Sequence, residues 1–457
     1  MAILIKNGTI VNADKTFTAD ILTEDDKIVK IDNNIIAGNT KTIIDAQNKY
    51  IFPGGIDPHV HMHLPVFGGF SADNFYTGSI AAIYGGTTTI IDFVTPQKGE
   101  LLTHAFQKRK KEAEKSLVNY SFHVSPIEWR DSLPKEIKEI IRLGSTSFKV
   151  YMAYKQSIGL DDKDLLKVMQ AVAQNGALLS VHAELGDEIE NLRNQFAREK
   201  KTNPEYHPLS RPDDTEELAV KKVLEYAEQT KCPLYIVHVS AKKSLKYICI
   251  AQKNGLQVLA ETCPHYLLLD DSRYQGSFEE TAPYVLSPPL RKKQDNEALW
   301  KAINDEIILS IGTDHCPFSM EMKRQGLNDF RYIPNGAGGV EHRLELLYTY
   351  GVLQNKISLN KFVNLVSTQP AKNFGLYPRK GEIKENADAD IVIWNPDIEK
   401  KISLKNHHQN CDNNIYEGFY TKGVAEHVII NGELVLSAQK LITKKKGKYI
   451  HRQLNKI

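Results

Sequence analysis

The sequence predicts an α/β fold: a (β/α)8 TIM-like barrel with a small β-sandwich domain built from both termini. Three observations lead there. Short β-branched or apolar runs recur from residue 51 onward with helically patterned segments between them, polar residues sit at or near the ends of several of those runs, and both ends of the chain share a different, hairpin-like texture. At 457 residues the chain also exceeds what one ordinary core supports, unless that core is a large barrel with an accessory domain.

Residues 1–50 are read as the N-terminal part of the sandwich. ILIKNGTIVNADKTFTADILTEDDKIVKID alternates short extended stretches with Asn-Gly and Asp-Asp turn signals, which suggests β-hairpins. Residues 51–378 are read as the barrel. Its eight runs are IFPGGIDPHVH, TTTIIDF, YSFHVS, SFKVYM, LLSVHAE, LYIVHVS, QVLAETC and IILSIGTDHC, with helical patterns such as TEELAVKKVLEYAEQ and NEALWKAIND between them. Continuous apolar strands alternating with helices imply parallel strands buried on both faces, and eight of them close a barrel. Periodicity alone also admits an open doubly wound sheet; polar residues at the C-terminal ends of several runs favour the barrel. Residues 379–441 return to hairpin texture in GEIKENADADIVIWNPD and AEHVIINGELVL, and are read as the C-terminal part of the sandwich. Residues 442–457 form a basic tail, expected to be solvated or loosely docked.

With 41% hydrophobic residues, 25% charged residues and a net charge of +2, the composition is that of a soluble globular protein. Nothing in it points to a nucleic acid or a membrane as partner. The opening MAILIKNGTI lacks the features of a signal peptide, and no stretch approaches the ~20 apolar residues that span a bilayer, so a cytoplasmic location is expected. Five scattered cysteines without a CxxC fit neither a disulfide framework nor a cysteine-rich zinc site.

In Asp57-Pro58-His59-Val60-His61 the histidines are two apart, so on a strand both face the same side, which in a barrel is the interior. His182 in SVHAE and His238 in IVHVS each close an apolar strand; either alone is well explained as a hydrogen-bonded structural histidine. Four histidines converging on one rim are harder to produce by accident. Asp314, after the eighth run, adds a carboxylate whose burial demands a metal or a proton beside it. Lys149 lies within an apolar run, where burial lowers a lysine pKa and leaves a nucleophilic amine; a snorkelling or salt-bridged lysine is the alternative. Two divalent cations held by four neutral imidazoles and one carboxylate would lack an anionic bridge, which a carbamate of Lys149 would supply.

The motifs PGGIDPHVH, GGTTTIIDF, SFKVYMAYK, VHAE, VHVS, ETCPHYL, YVLSPPLR, GTDHCPF and IPNG occur in the order of a known family. The chain resembles, nearly end to end, the dihydropyrimidinase and D-hydantoinase branch of the amidohydrolases. The resemblance implies two divalent metal ions, usually zinc. His59, His61 and Asp314 would hold one, His182 and His238 the other, and Lys149, N6-carboxylated, would bridge them. It further implies that Tyr154, Ser287 and Asn335 contact a small cyclic diamide, Tyr154 through a hydrogen bond to the oxyanion. A bridging hydroxide would attack the ring carbonyl. Asp314 would carry its proton to the leaving nitrogen, and an N-carbamoyl amino acid would form. Kinship also implies a homotetramer.

Two other readings remain. Allantoinases and dihydroorotases share the barrel and the HxH; dihydroorotase-like enzymes resemble HxHxR, and allantoinases carry asparagine there, where this chain has His63. The segment from His61 to Gly69 also departs from the hydantoinase pattern, which commonly has aspartate there and one residue fewer. A non-catalytic, dihydropyrimidinase-like interaction protein is the other reading, but such relatives lose metal ligands and all six positions are filled here.

Overall fold

A computed structural model describes residues 2–38, 40 and 42–454; residues 1, 39, 41 and 455–457 of the terminal segments named above lie outside the described residues. All eight expected barrel strands are present and parallel: Gly55–Val60, Thr87–Val94, Asn119–Val124, Ser147–Tyr151, Leu178–His182, Leu234–Ile236, Val258–Thr262 and Ser310–Ile311. Neighbours pair in sequence order. A parallel bridge between Val60 and His315 brings the last strand's exit against the first strand. Every residue of Thr87–Val94 and of Ser147–Tyr151 is buried, as strands covered on both faces must be. The patterned segments between them fold as outer helices, among them Asp213–Thr230, whose first turn carries Asp213, Asp214 and Glu216 where the helix dipole favours negative charge. No helix among the described residues is long and apolar enough to cross a membrane.

The two ends of the chain meet in one mixed sheet of nine strands, formed by residues 2–53 and 391–441. Its inward isoleucines, including Ile5, Ile21, Ile51, Ile391 and Ile429, form a core distinct from that of the barrel. Three local expectations need correction. The run IFPGGIDPHVH is two strands: Tyr50–Pro53 pairs with the terminal strands Ala2–Val11 and Ile391–Lys401, and the barrel begins only at Gly55. The chain passes between domains at Gly54, where a Cβ would lie 2.1 Å from the Thr88 hydroxyl. Second, Asn7-Gly8 is no hairpin turn but an irregularity inside Ala2–Val11, where the register shifts, while Asp25-Asp26 and Asn431-Gly432 do turn hairpins.

Third, the basic tail is not solvated throughout. The amides of Ile450 and Arg452 donate to the carbonyls of Tyr120 and Gly144, and the buried Arg452 guanidinium donates to the hydroxyls of Ser121, Ser145 and Ser147 and to the carbonyl of Phe122. The tail therefore docks against the third and fourth barrel strands of its own chain. Positive charge there is an internal anchor.

Candidate metal centre

The barrel carries His59 on its first strand, Lys149 on its fourth and His182 at the end of its fifth, while His238 and Asp314 follow the sixth and eighth. The two-residue spacing of His59 and His61 does put both rings on one side. Their Nε2 atoms stand 3.2 and 3.0 Å from the same oxygen, Oδ1 of Asp314. One nitrogen of each ring and that oxygen all lie within 4.8 Å of one another, a grouping that could hold a cation. Asp57 fixes this geometry from below. Its carboxylate accepts from the backbone amides of His59 and Thr313 and from the Thr313 hydroxyl, tying the first strand to the segment that presents Asp314.

His182 and His238 form the second grouping, with Nδ1 of one 3.0 Å from Nε2 of the other. The far nitrogen of His182 lies 2.8 Å from Glu184, whose carboxylate is also bound by the Arg211 guanidinium. This arrangement directs the His182 Nδ1 lone pair inward. His59 is held in the same manner: its Nδ1 lies 2.6 Å from Glu261, a fully buried carboxylate that also accepts from the Tyr235 hydroxyl. The two groupings adjoin, with the His59 and His238 ring centres 5.4 Å apart. Lys149 is buried with its ammonium 5.2 Å from the ring centres of Phe93 and Tyr151, and its charge is felt by His59, His182 and His238 alike.

The electrostatics suit cation binding. Burial holds His61 and His182 below the ordinary histidine pKa and His238 well below it, so these three imidazoles are kept neutral, the form that can offer a lone pair to a cation. Burial also disfavours the His59 imidazolium, but Asp314 and Glu261 outweigh it and hold the pKa up at about 9. A proton on His59 answers the same negative charge that a divalent cation would answer. Burial likewise opposes the Asp314 carboxylate, yet the His59 and His61 rings keep it well below the usual range. Desolvation brings Lys149 down to about 8 despite Asp314 and Glu261, leaving part of it as free amine near neutrality. The donor set of imidazole, carboxylate and amine, backed by buried carboxylates, therefore fits a divalent metal centre.

Tyr154 sits beside this centre, its ring 5.3 Å from that of His182. Ser287 and Asn335 are brought together, the Asn335 amide donating to the Ser287 hydroxyl at 2.9 Å. His238, Asp314 and Tyr154 all hold left-handed backbone angles, with φ of 40°, 50° and 60°, a conformation strained for a non-glycine residue. His63 lies outside the His59–His61–Asp314 grouping, stacked on Phe70 of the small hairpin at 65–70 with ring centres 4.1 Å apart. Sequence reasoning missed the roles of Glu261 and Glu184. The signal was present in both: a carboxylate inside or closing an apolar run, the reasoning already applied to Lys149.

The amidohydrolase family model matches residues 50–435. A D-hydantoinase of Ralstonia pickettii is 42% identical over 99% of both chains. A dihydropyrimidinase of Arabidopsis thaliana is 38% identical, covering 98% of this chain and 85% of its own. Among solved structures, a dihydropyrimidinase from Brevibacillus agri superposes with a TM-score of 0.98 at 39% identity, over 100% of this chain and 99% of that one. An L-hydantoinase from Arthrobacter aurescens reaches 0.90 at 27% identity, over 98% and 99% respectively.

Proposed function

The chain belongs to the amidohydrolase family, in the branch of the D-hydantoinases and dihydropyrimidinases, and from that premise we propose that it hydrolyses a dihydropyrimidine or 5-substituted hydantoin to an N-carbamoyl amino acid. The observation that carries the reading is the convergence of His59, His61 and Asp314 beside the His182–His238 pair, with Lys149 buried among them. Two divalent cations bound there, zinc by kinship, would supply Lewis acidity toward the ring carbonyl and acidify a water molecule. His59, His61 and Asp314 would hold one cation, and His182 and His238 would hold the other. Lys149, if carboxylated by addition of CO2 to its free amine with loss of a proton, would supply the anionic charge that two cations there require. Asp314 takes the proton of the attacking water and returns it to the departing ring nitrogen. The Tyr154 hydroxyl donates to the oxygen that becomes negative as the carbonyl is attacked. Ser287 and Asn335 hold the diamide. Kinship extends the reading to a cytoplasmic homotetramer.

The test is a rate comparison of metal-reconstituted protein on dihydrouracil, hydantoin, 5-phenylhydantoin, allantoin and dihydroorotate. One of the first three is expected to dominate in kcat/KM. Dominance of allantoin or dihydroorotate would overturn the assignment.

A further inference from the structure

Lys323 ends the short helix Met320–Lys323 and is fully buried. Its ammonium donates to three backbone carbonyls, those of Val285 at 2.9 Å, Pro334 at 2.8 Å and Gly336 at 2.9 Å. Those three bonds use every donor an ammonium has. Burying a charge among carbonyls is costly where an apolar side chain could fill the space, and desolvation brings this lysine down to about 7. The acceptors explain its presence. Pro334 and Gly336 flank Asn335, and Val285 lies two residues before Ser287. The Gly336 amide donates in turn to Val285, at 3.0 Å. Ala337 pairs with His315, and its carbonyl accepts from the Cys316 amide at 2.9 Å, so the same segment is fastened to the chain leaving Asp314. At Gly336, φ is +146° and a Cβ would lie 2.4 Å from the Cys316 carbonyl oxygen, which shows how closely the two segments run.

Resting on the function proposed above, we infer that Lys323 is a positioning residue for substrate: it pins the loops carrying Ser287 and Asn335 to each other, and through Ala337 to the segment bearing Asp314. It touches neither metal nor reacting atoms. Its removal loosens ground-state and transition-state binding together, which raises KM and leaves kcat nearly intact. Lys323→Met is expected to raise KM for hydantoin or dihydrouracil about tenfold or more, with kcat within about threefold and metal content per chain unchanged. Lys323→Arg, which keeps charge and donors, is expected to recover most of that KM loss. Should the methionine variant not fold, Lys323→Gln replaces it, and its KM is expected to lie between those of the wild type and a tenfold loss. A folded, metal-replete methionine or glutamine variant with wild-type KM would overturn the inference, as would an arginine variant no better than its neutral counterpart. Wild-type protein assayed alongside separates the two claims: its failure to hydrolyse any cyclic diamide refutes the function, whereas its success beside an unchanged variant KM refutes only the role of Lys323.

Discussion

Glu261 illustrates how much of the centre lies behind the residues that would touch a cation. With no solvent exposure, it accepts from His59 Nδ1 at 2.6 Å and from the Tyr235 hydroxyl at 2.8 Å, while the His238 amide approaches to 3.4 Å. One carboxylate thus orients a ring of the first grouping and braces the backbone of the second. Glu261→Gln keeps the shape, removes the negative charge and lowers the basicity of His59, so metal affinity is expected to fall by about 10- to 100-fold in competition with a chelator. Unchanged affinity would mean that His59 is oriented by something else. At this scale the candidate ligands were legible and their supports were not. Two histidines at strand spacing declare a shared face in one dimension, whereas the contact between Glu261 and His59 spans 202 positions and exists only once the barrel closes.

The strands were legible because burial on both faces demands unbroken apolar runs, and all eight of the expected runs contain a barrel strand. Boundaries were less so. Nothing in the run from Ile51 to His61 announces that Pro53 belongs to one sheet and Gly55 to another; the division follows from which partners hydrogen-bond each half. The tail was misread because a run of lysines reads as solvated surface, while the residues that dock it, the Ile450 backbone and the buried Arg452 among them, lie beyond those lysines. Arg452→Ala would remove the four hydrogen bonds of a buried guanidinium, although the Ser145 hydroxyl still donates to the Phe122 carbonyl and the Ser147 hydroxyl keeps His123. A loss on the order of 3 kcal/mol follows, since a hydrogen bond from a charged group contributes about 1.5–3 kcal/mol and the surviving bonds among the serines limit the sum. Urea-induced unfolding followed by circular dichroism measures it. A shift below about 0.5 kcal/mol, the range of ordinary surface substitutions, would show the tail to be loosely held after all.

Across the whole molecule the chain leaves and re-enters its terminal sheet around a complete barrel, and the two bodies share a seam. Trp394 of the sheet packs 5.9 Å from Phe52 and 5.4 Å from Tyr348, while Asn119 of the third barrel strand donates to Asp390 beside the sheet. The architecture was readable from the change of texture at the two ends. The near-complete coverage by dihydropyrimidinases and hydantoinases places the same barrel and sheet in the relatives. Strands distant in sequence deliver six side chains to one end of that barrel, where we propose that they hold two cations. Metal analysis of the purified protein, reconstituted with zinc in bicarbonate buffer and freed of excess ion, is the test. Two equivalents of zinc per chain are expected; a protein that retains none would refute a two-cation site.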